Sequence, residues 1–412
     1  MNIPQGYKQT ELGIIPEDWE VKRISDFTSI ITGGTPSTQR PEYWGGSIMW
    51  MSSGELNKKF VFDVEGRITT EGLLNSSTHI IPPFCVLIGL AGQGKTRGTA
   101  AYNYISLCTN QSIAAILPND KYNSLYLYYV VDSKYEYLRL LSSGDGGRGG
   151  LNKNLLNSLE ISFPKTIAEQ QAIAEVLGDI DGLIAALDKK IAKKRLIKQG
   201  AMSQLLTGKK RFPGFSDPWV ERKLGEIGVW VKGQSLSKND ITPNGKNICI
   251  HYGELFSYGE VITSPISRTN SQPITISLGN EILFPDSDVT PDGLGRCSAL
   301  LMKDVIIGSG VNILRHNPLY DTSFVSYSIN ANRSKIIDRV TGTTVKHINS
   351  KELSEVVIEI PKNKDEQIAI ATMLNDMDKE IDDLEAQRDK YRLLKSGMMQ
   401  KLLTGQIRLK IK

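Results

Sequence analysis

The stretch Pro164-Lys-Thr-Ile-Ala-Glu169-Gln170-Gln-Ala-Ile173 has a near copy 197 residues later, Pro361-Lys-Asn-Lys-Asp-Glu366-Gln367-Ile-Ala-Ile370. The correspondence runs without a gap to Arg211 on Arg408, with 23 of 48 positions identical. Asp179-x-Asp181 falls on Asp376-x-Asp378, and Leu205-Leu206-Thr207-Gly208 falls on Leu402-Leu403-Thr404-Gly405. A second match, at a shift of 200, opens each half: Trp19-Glu-Val-Lys-Arg-Ile-Ser-Asp26 against Trp219-Val-Glu-Arg-Lys-Leu-Gly-Glu226. Trp19 to Pro164 is 145 residues and Trp219 to Pro361 is 142, with little identity between those anchors. A repeat of this period sets the architecture before any local reading does. The order is variable domain (1–163), constant segment (164–208), variable domain (209–360), constant segment (361–408).

The constant segments read as long helices. Ile173, Leu177, Ile180, Ile184, Leu187 and Ile191 alternate steps of four and three, as do Ile370, Leu374, Met377, Ile381 and Leu384. That is an a/d seam. Each helix should begin just after its proline, which cannot sit in a helix interior. Each should end at Thr-Gly, where glycine takes the left-handed conformation after the last turn. An amphipathic helix burying one stripe against its own domain is the plain alternative. Two matched copies in one chain instead favour an antiparallel pair, each helix roughly 60 Å long.

The variable domains mix short strands with loops. Val86–Ile88, Ile113–Ile116 and Glu160–Phe163 read as strands in the first, and residues 281–284, 304–307 and 356–360 in the second. Ser124 to Leu141 is tyrosine- and leucine-rich at helical spacing, and Gly144 to Gly150 reads as a mobile glycine loop. The expected fold class is α+β: two small mixed α/β domains separated by two long antiparallel coiled-coil helices, a pseudo-twofold tandem repeat.

Composition narrows the function. The chain has 412 residues, 40% of them hydrophobic and 23% charged, an ordinary globular balance. No apolar run approaches the ~20 residues of a membrane span, and no signal peptide is visible. Four scattered cysteines form no CxxC pair, so neither a zinc site nor a disulfide framework is expected, and a reducing cytoplasm is the default compartment. Net charge is 49 − 45 = +4, which admits a nucleic-acid partner only where the basic residues cluster.

One motif invites a catalytic reading. Gly89-Leu-Ala-Gly-Gln93-Gly94-Lys95-Thr96 matches GxxxxGK[ST], which in a nucleotide-binding protein cradles phosphate and then opens a helix. Arg97-Gly98-Thr99 is a poor helix start, so two other readings compete: a loop whose Lys95 or Arg97 meets a DNA phosphate, or a structural turn. Ile81-Pro-Pro-Phe84 resembles the Pro-Pro motif of amino-methyltransferases but has isoleucine where the target amine must be bound. The four histidines offer no metal pair, and no cofactor is expected. The run Lys189, Lys190, Lys193, Lys194, Arg195, Lys198 and Lys209-Lys-Arg211 is either a solvated helix face or a basic patch. Loop cations beside small residues are better placed to meet DNA: Arg148, Lys153, and Thr343-Thr344-Val-Lys346-His347. There the backbone can approach a phosphate and a long side chain can reach a base edge.

Taken in order, the duplicated Trp segment, Gly33-Gly34-Thr35-Pro-Ser37, Tyr43-Trp44-Gly45-Gly46, the Glu-Gln-x-Ala-Ile helix starts and the Leu-Leu-Thr-Gly ends resemble the specificity subunit of a Type I restriction–modification system. The resemblance covers nearly the whole chain. It implies a non-catalytic subunit with two target-recognition domains, each reading half of a bipartite double-stranded DNA site. It also implies helices that set the spacer and dock two methyltransferase subunits, with motor-nuclease subunits joining the full complex. It leaves open a Type II enzyme with a separate specificity subunit. DNA contacts are expected at Gly34, Thr35, Ser37, Tyr43 and Trp44, at Gln93, Lys95 and Arg97, and at the loop cations above. In the second half Val231-Lys232-Gly-Gln234-Ser235-Leu236 stands where the first has Gly33 to Ser37, with no obvious correspondence. Lys232, Gln234 and Ser235 are the candidates there, and the two halves are expected to read different sequences.

Overall fold

The computed structural model describes residues 3–92, 94–141 and 150–409. The chain forms two compact units, Met1–Ala186 with Gln387–Lys412, and Leu187–Ala386. Each holds one variable domain plus part of both constant segments.

In the first unit a five-stranded sheet is built from β1 (Ile30–Thr32), β2 (Phe60–Val61), β3 (Val86–Gly89), β4 (Ala100–Asn103) and β5 (Ile113–Ile116). Their spatial order is β1-β5-β3-β4-β2. The inner strands are buried along their whole length, which is why they read as short apolar runs without alternation. One face is covered by α1 (Ser124–Ser133), which buries Tyr126, Tyr128 and Tyr129, and by part of α2 (Ile167–Leu205). In the second unit β6 (Gly228–Lys232), β7 (Val261–Ile262), β8 (Glu281–Pro285), β9 (Ser298–Leu300) and β10 (Val311–His316) pair in the same order, β6-β10-β8-β9-β7. Their cover is α3 (Thr322–Ala331) and part of α4 (Lys364–Leu402). The variable domains therefore share one topology although their sequences do not match.

Both long helices have 39 residues, about 58 Å at 1.5 Å per residue. Each starts three residues after its proline. Gly208 and Gly405 take φ of +65° and +69°, the left-handed conformation expected at the helix ends. The matched motifs meet inside each unit. In the first, Leu402 and Leu403 join the core around Trp19, and Gly405 lies against the same indole. In the second, Leu205 and Leu206 share a core with Trp219, and Gly208 packs on its ring.

The a/d residues divide between two kinds of packing. Ile173 and Leu177 enter the core of the first domain, and Ile370 and Leu374 that of the second. Leu187, Ile191, Ile381 and Leu384 form a separate small helix–helix cluster. Ile180 is buried, whereas Ile184 and Met377 are half-buried. Polar pairs place the two helices antiparallel within each unit. Asp181 pairs with Lys395 at 2.7 Å in the first, and Lys194 with Glu380 at 2.7 Å in the second.

The Glu-Gln motif is structural. Gln170 accepts the Asn123 N–H at 2.8 Å and donates to the Pro164 carbonyl at 3.1 Å, tying α2 to the start of α1. Gln367 does the same with Asp321 and Pro361, both at 2.8 Å. Asn123 and Asp321 are themselves the side chains that cap α1 and α3.

Candidate nucleic-acid interface

In each unit the first sheet strand ends in a glycine corner. The Gly33 N–H donates to Ile113 at 3.3 Å and the Gly34 N–H to Thr109 at 2.9 Å. Gly233 donates to Val311 at 3.4 Å and Gln234 to Ile307 at 2.9 Å. A Cβ on Gly33 would stand 1.9 Å from the Thr109 oxygen, and one on Gly233 would stand 1.8 Å from that of Gly308. Only glycine fits such an approach. So Gly233-Gln-Ser-Leu236 is the counterpart of Gly33-Gly-Thr-Pro36, which corrects the expectation that the second half has none. The backbone is kept and the side chains change.

Hydrogen bonds join the loops at this edge of each sheet. In the first unit Thr35 donates to Gln111, Leu90 to the Ser112 carbonyl at 2.8 Å, and Leu151 to the Leu90 carbonyl at 3.0 Å. This brings the corner, the β3–β4 loop and the segment holding Lys153 to one edge. In the second, Asp286 donates to the Gly310 carbonyl at 3.0 Å and Ile348 to the Asp286 carbonyl at 3.0 Å. Lys232, Asp286, Thr341, His347, Ile348 and Asn349 line a cleft of about 140 Å³ there.

The sequence candidates divide accordingly. Thr35, Ser37, Lys95, Lys153, Lys232, Ser235, Thr343, Thr344 and His347 are exposed on these loops, and Lys346 is half-buried with its ammonium on the Gly342 carbonyl at 2.7 Å. Lys232 pairs with Asp286 at 3.4 Å. Gly34 is buried. The Trp44 indole donates to the Ser37 carbonyl at 3.2 Å, and the Trp50 indole to that of Gly34 at 3.0 Å. The two indoles meet edge to face at 5.0 Å, and Tyr43 gives its carbonyl to the Thr69 N–H. Tyr43 and Trp44 thus brace the corner, half-buried. Gln234 is also buried, with its amide wholly used on backbone groups of residues 272–275. Gln93, Arg148 and the loop residues Gly144 to Gly149 lie outside the described residues.

The nucleotide-binding reading of Gly89 to Thr96 finds no support. No helix follows. Gly98, at φ +81°, returns its N–H to the Gly89 carbonyl at 2.9 Å, and the chain re-enters the sheet antiparallel as β4. The Lys95 carbonyl is taken by the Thr99 and Tyr135 hydroxyls at 2.6 and 3.1 Å. Half-buried Arg97 sits in the same turn. Ile81 to Phe84 is likewise a turn, with Phe84 at φ +69° and the Asn103 amide bonded to the Pro82 carbonyl at 2.8 Å.

Three of the six cations in the basic run on α2 pair with acidic residues of α4, while Lys189, Lys190 and Lys193 are exposed. Lys194 meets Glu380, Arg195 meets Glu385, and Lys198 meets both Asp378 and Glu260. Arg211 grips Glu366 through two hydrogen bonds of 2.8 and 2.7 Å. Its repeat partner Arg408 bridges Glu169 and Asp18, and those bonds hold the guanidinium protonated and the Asp18 carboxyl below its usual range. Burial, with the acceptors Asp181 and Asp378 beside them, pushes the Tyr129 and Tyr327 phenols up. Lys194, Arg195, Lys198, Arg211 and Arg408 are thus engaged by carboxylates of the chain itself. Among the described residues no group of three or more His, Cys, Asp or Glu is arranged to hold a metal ion.

A sequence model of the Type I restriction modification DNA specificity domain matches residues 16–194 and again 216–391, once in each repeat. The chain belongs to this family. Against the MjaIX specificity subunit of Methanocaldococcus jannaschii it is 37% identical over 186 residues, 43% of this chain and 41% of that relative. Against the putative MjaX specificity subunit of the same organism it is 25% identical over 434 aligned residues, covering 98% and 97%. The Escherichia coli EcoR124I/EcoR124II specificity subunit is 27% identical over 197 residues, 47% of this chain and 48% of its own length. All three are described as Type I. Among solved structures, the S subunit from M. genitalium superposes with a TM-score of 0.66 at 16% identity, covering 98% of both chains. A chain from a study of Type I complex assembly gives 0.54 at 15% identity, covering 95% of this chain and 99% of that one. Both likenesses are of fold.

Proposed function

We propose that this chain is the non-catalytic DNA-recognition subunit of a Type I restriction–modification complex. Each unit reads one half of a bipartite double-stranded site through its loop-bearing sheet edge. The observation that carries this reading is a single backbone edge built twice, with different side chains on it: Thr35, Ser37 and Lys153 in one unit, Lys232, Ser235 and His347 in the other. A shared frame with exchanged side chains suits one task performed on two different sequences. Loop cations contact phosphate, which positions the protein, while polar and apolar tips contact base edges, which specify. The proposed boundaries are the sequence ones, 1–163 and 209–360 for recognition, 164–208 and 361–408 for the helices.

The helices set the number of unread base pairs between the half-sites. Their inward residues are consumed in packing, so two methyltransferase subunits dock on outward positions such as Leu183 and Leu196, which are 48% and 68% exposed. Motor-nuclease subunits join that assembly. The chain needs no cofactor and works in the cytoplasm, where its four buried cysteines stay free thiols. Methylation-sensitive sequencing of DNA from cells carrying the chain with its methyltransferase tests the reading. The expected result is one split motif that disappears when the chain is deleted.

A further inference from the structure

Gln234 is the one corner residue whose side chain is buried while every polar atom of its amide is bonded to a neighbouring loop. Its Oε1 accepts the N–H groups of Ile274 and Thr275, both at 2.7 Å, and its Nε2 donates to the Gln272 carbonyl at 2.8 Å. The same loop is held at its base: the Asn247 amide donates to the Ser271 carbonyl at 3.0 Å, and Thr269 accepts the Ser271 N–H at 3.0 Å. Pro273 fixes one more dihedral at the tip. This fixed backbone holds two side chains out from the surface. Gln272 is exposed and bonds no protein group through its side chain among the described residues, and Ile274 is 79% exposed. An apolar side chain held out in water on a braced loop costs solvation without contributing to the core.

The surroundings point to DNA. Thr275 donates to the Lys232 carbonyl at 3.4 Å, so the loop adjoins the cleft of Lys232 and His347. Lys246 and Arg268, both exposed, flank its base, Lys246 giving its N–H to Asn270 at 3.1 Å. In the first unit Gly34 occupies the position of Gln234. A Cβ there would stand 2.2 Å from Ser77 Oγ, so residues 75–80 are held by direct backbone packing instead. That loop too leaves an isoleucine out, Ile80 at 53% exposed.

We propose that residues 270–274 are a base-reading loop of the second domain, with Gln272 reading adenine, Ile274 packing on a thymine methyl, and Gln234 the positioning residue. This rests on the DNA-recognition reading above. A glutamine amide pairs with the N6 and N7 edge of adenine in the major groove, and apolar side chains recognise the thymine methyl. The loop meets both needs with side chains on either side of Pro273, on a backbone that does not have to be ordered on binding.

The test is selection from a randomised duplex library with the full-length chain bound to its methyltransferase, comparing the unaltered protein with Gln272→Ala, Gln234→Leu and Gln234→Glu. Gln272→Ala should lower the preference for adenine at one position of one half-site by about 5- to 150-fold and leave the other half unchanged. Gln234→Leu should blur that position and its neighbour in a protein that still assembles with its methyltransferase. Gln234→Glu keeps the two bonds accepted at Oε1 but sets a carboxylate oxygen against the Gln272 carbonyl, so it should blur the same position rather than restore it. A Gln272→Ala protein that selects the unaltered motif overturns the proposal. So does one that loses the methyltransferase without a change of motif, which assigns the loop to a protein contact. An unaltered complex that selects no motif at all sinks the DNA-recognition reading itself, and the two failures are thereby distinguished.

Discussion

Lys198 and Asp378 lie 2.5 Å apart, nitrogen to oxygen, and come from different copies of the repeat. The lysine side chain is 11% exposed, also meets Glu260 at 3.0 Å, and lies 5.2 Å from the centre of the Tyr327 ring. In the first unit Lys395, Asp181 and Tyr129 form the same arrangement with the copies exchanged. Each compact unit is thus closed by a lysine from the other constant segment. Lys198→Ala leaves two carboxylates with no cation between them, and removal of one partner from such a pair costs about 3 kcal/mol. Urea unfolding should show that loss, and Asp378→Asn in the same chain should recover part of it.

Gly233→Ala should destabilise by about 1–3 kcal/mol, because the new methyl would press on the backbone carbonyls of Gly308 and Ile307 rather than on a side chain that could move. Gly33→Ala should do the same through Thr109. Comparable losses at both sites in thermal melts would show that the two corners are one device.

His316 should make the protein acid-sensitive. Its Nδ1 donates to the Asn317 carbonyl and its Nε2 accepts the Thr322 hydroxyl, both at 2.9 Å, which fixes the neutral tautomer. Burial pushes its pKa below the ordinary 6.5. Between the folded and unfolded values only the unfolded chain takes up the proton, so stability rises with pH across that window and falls on acidifying below about 6.5. Asp18, held low by Arg408, gives the same direction only as the pH drops through the carboxylate range. The melting temperature of His316→Gln should therefore change less between pH 7.5 and 5.5 (about one unit either side of 6.5) than that of the unaltered chain.

The repeat, the long helices, their ends and the six named strands were legible because identity between copies and apolar runs are local properties of a sequence. The shared topology of the variable domains was not, since backbone pairing keeps no side-chain identity. The traces are few, among them the glycines at 33 and 233 and the Gly-Glu-Leu triplets at 54–56 and 253–255. Gln234 was picked out as a DNA contact for its residue type, and no local signal announced that its amide is bonded to the 272–275 backbone. Pairing of Lys194, Arg195 and Lys198 was hidden because their acidic partners on the other helix lie far along the chain; for Lys194 and Glu380 the separation is 186. Reading the two constant segments against each other in reverse would have revealed them, since antiparallel partners keep a nearly constant sum of residue numbers.

Lys346→Ala should weaken DNA binding across sequences and lower the salt slope by about one counterion if its ammonium leaves the Gly342 carbonyl for a phosphate. Affinity measured against salt concentration gives the slope directly.

The central claim is that each unit reads its half-site independently. Exchanging residues 1–163 for the same region of another family member, and sequencing the methylated DNA, tests it most directly. The account predicts a motif with one half replaced and the other half and the spacer unchanged. An assembled, active chimaera in which both halves change would contradict it.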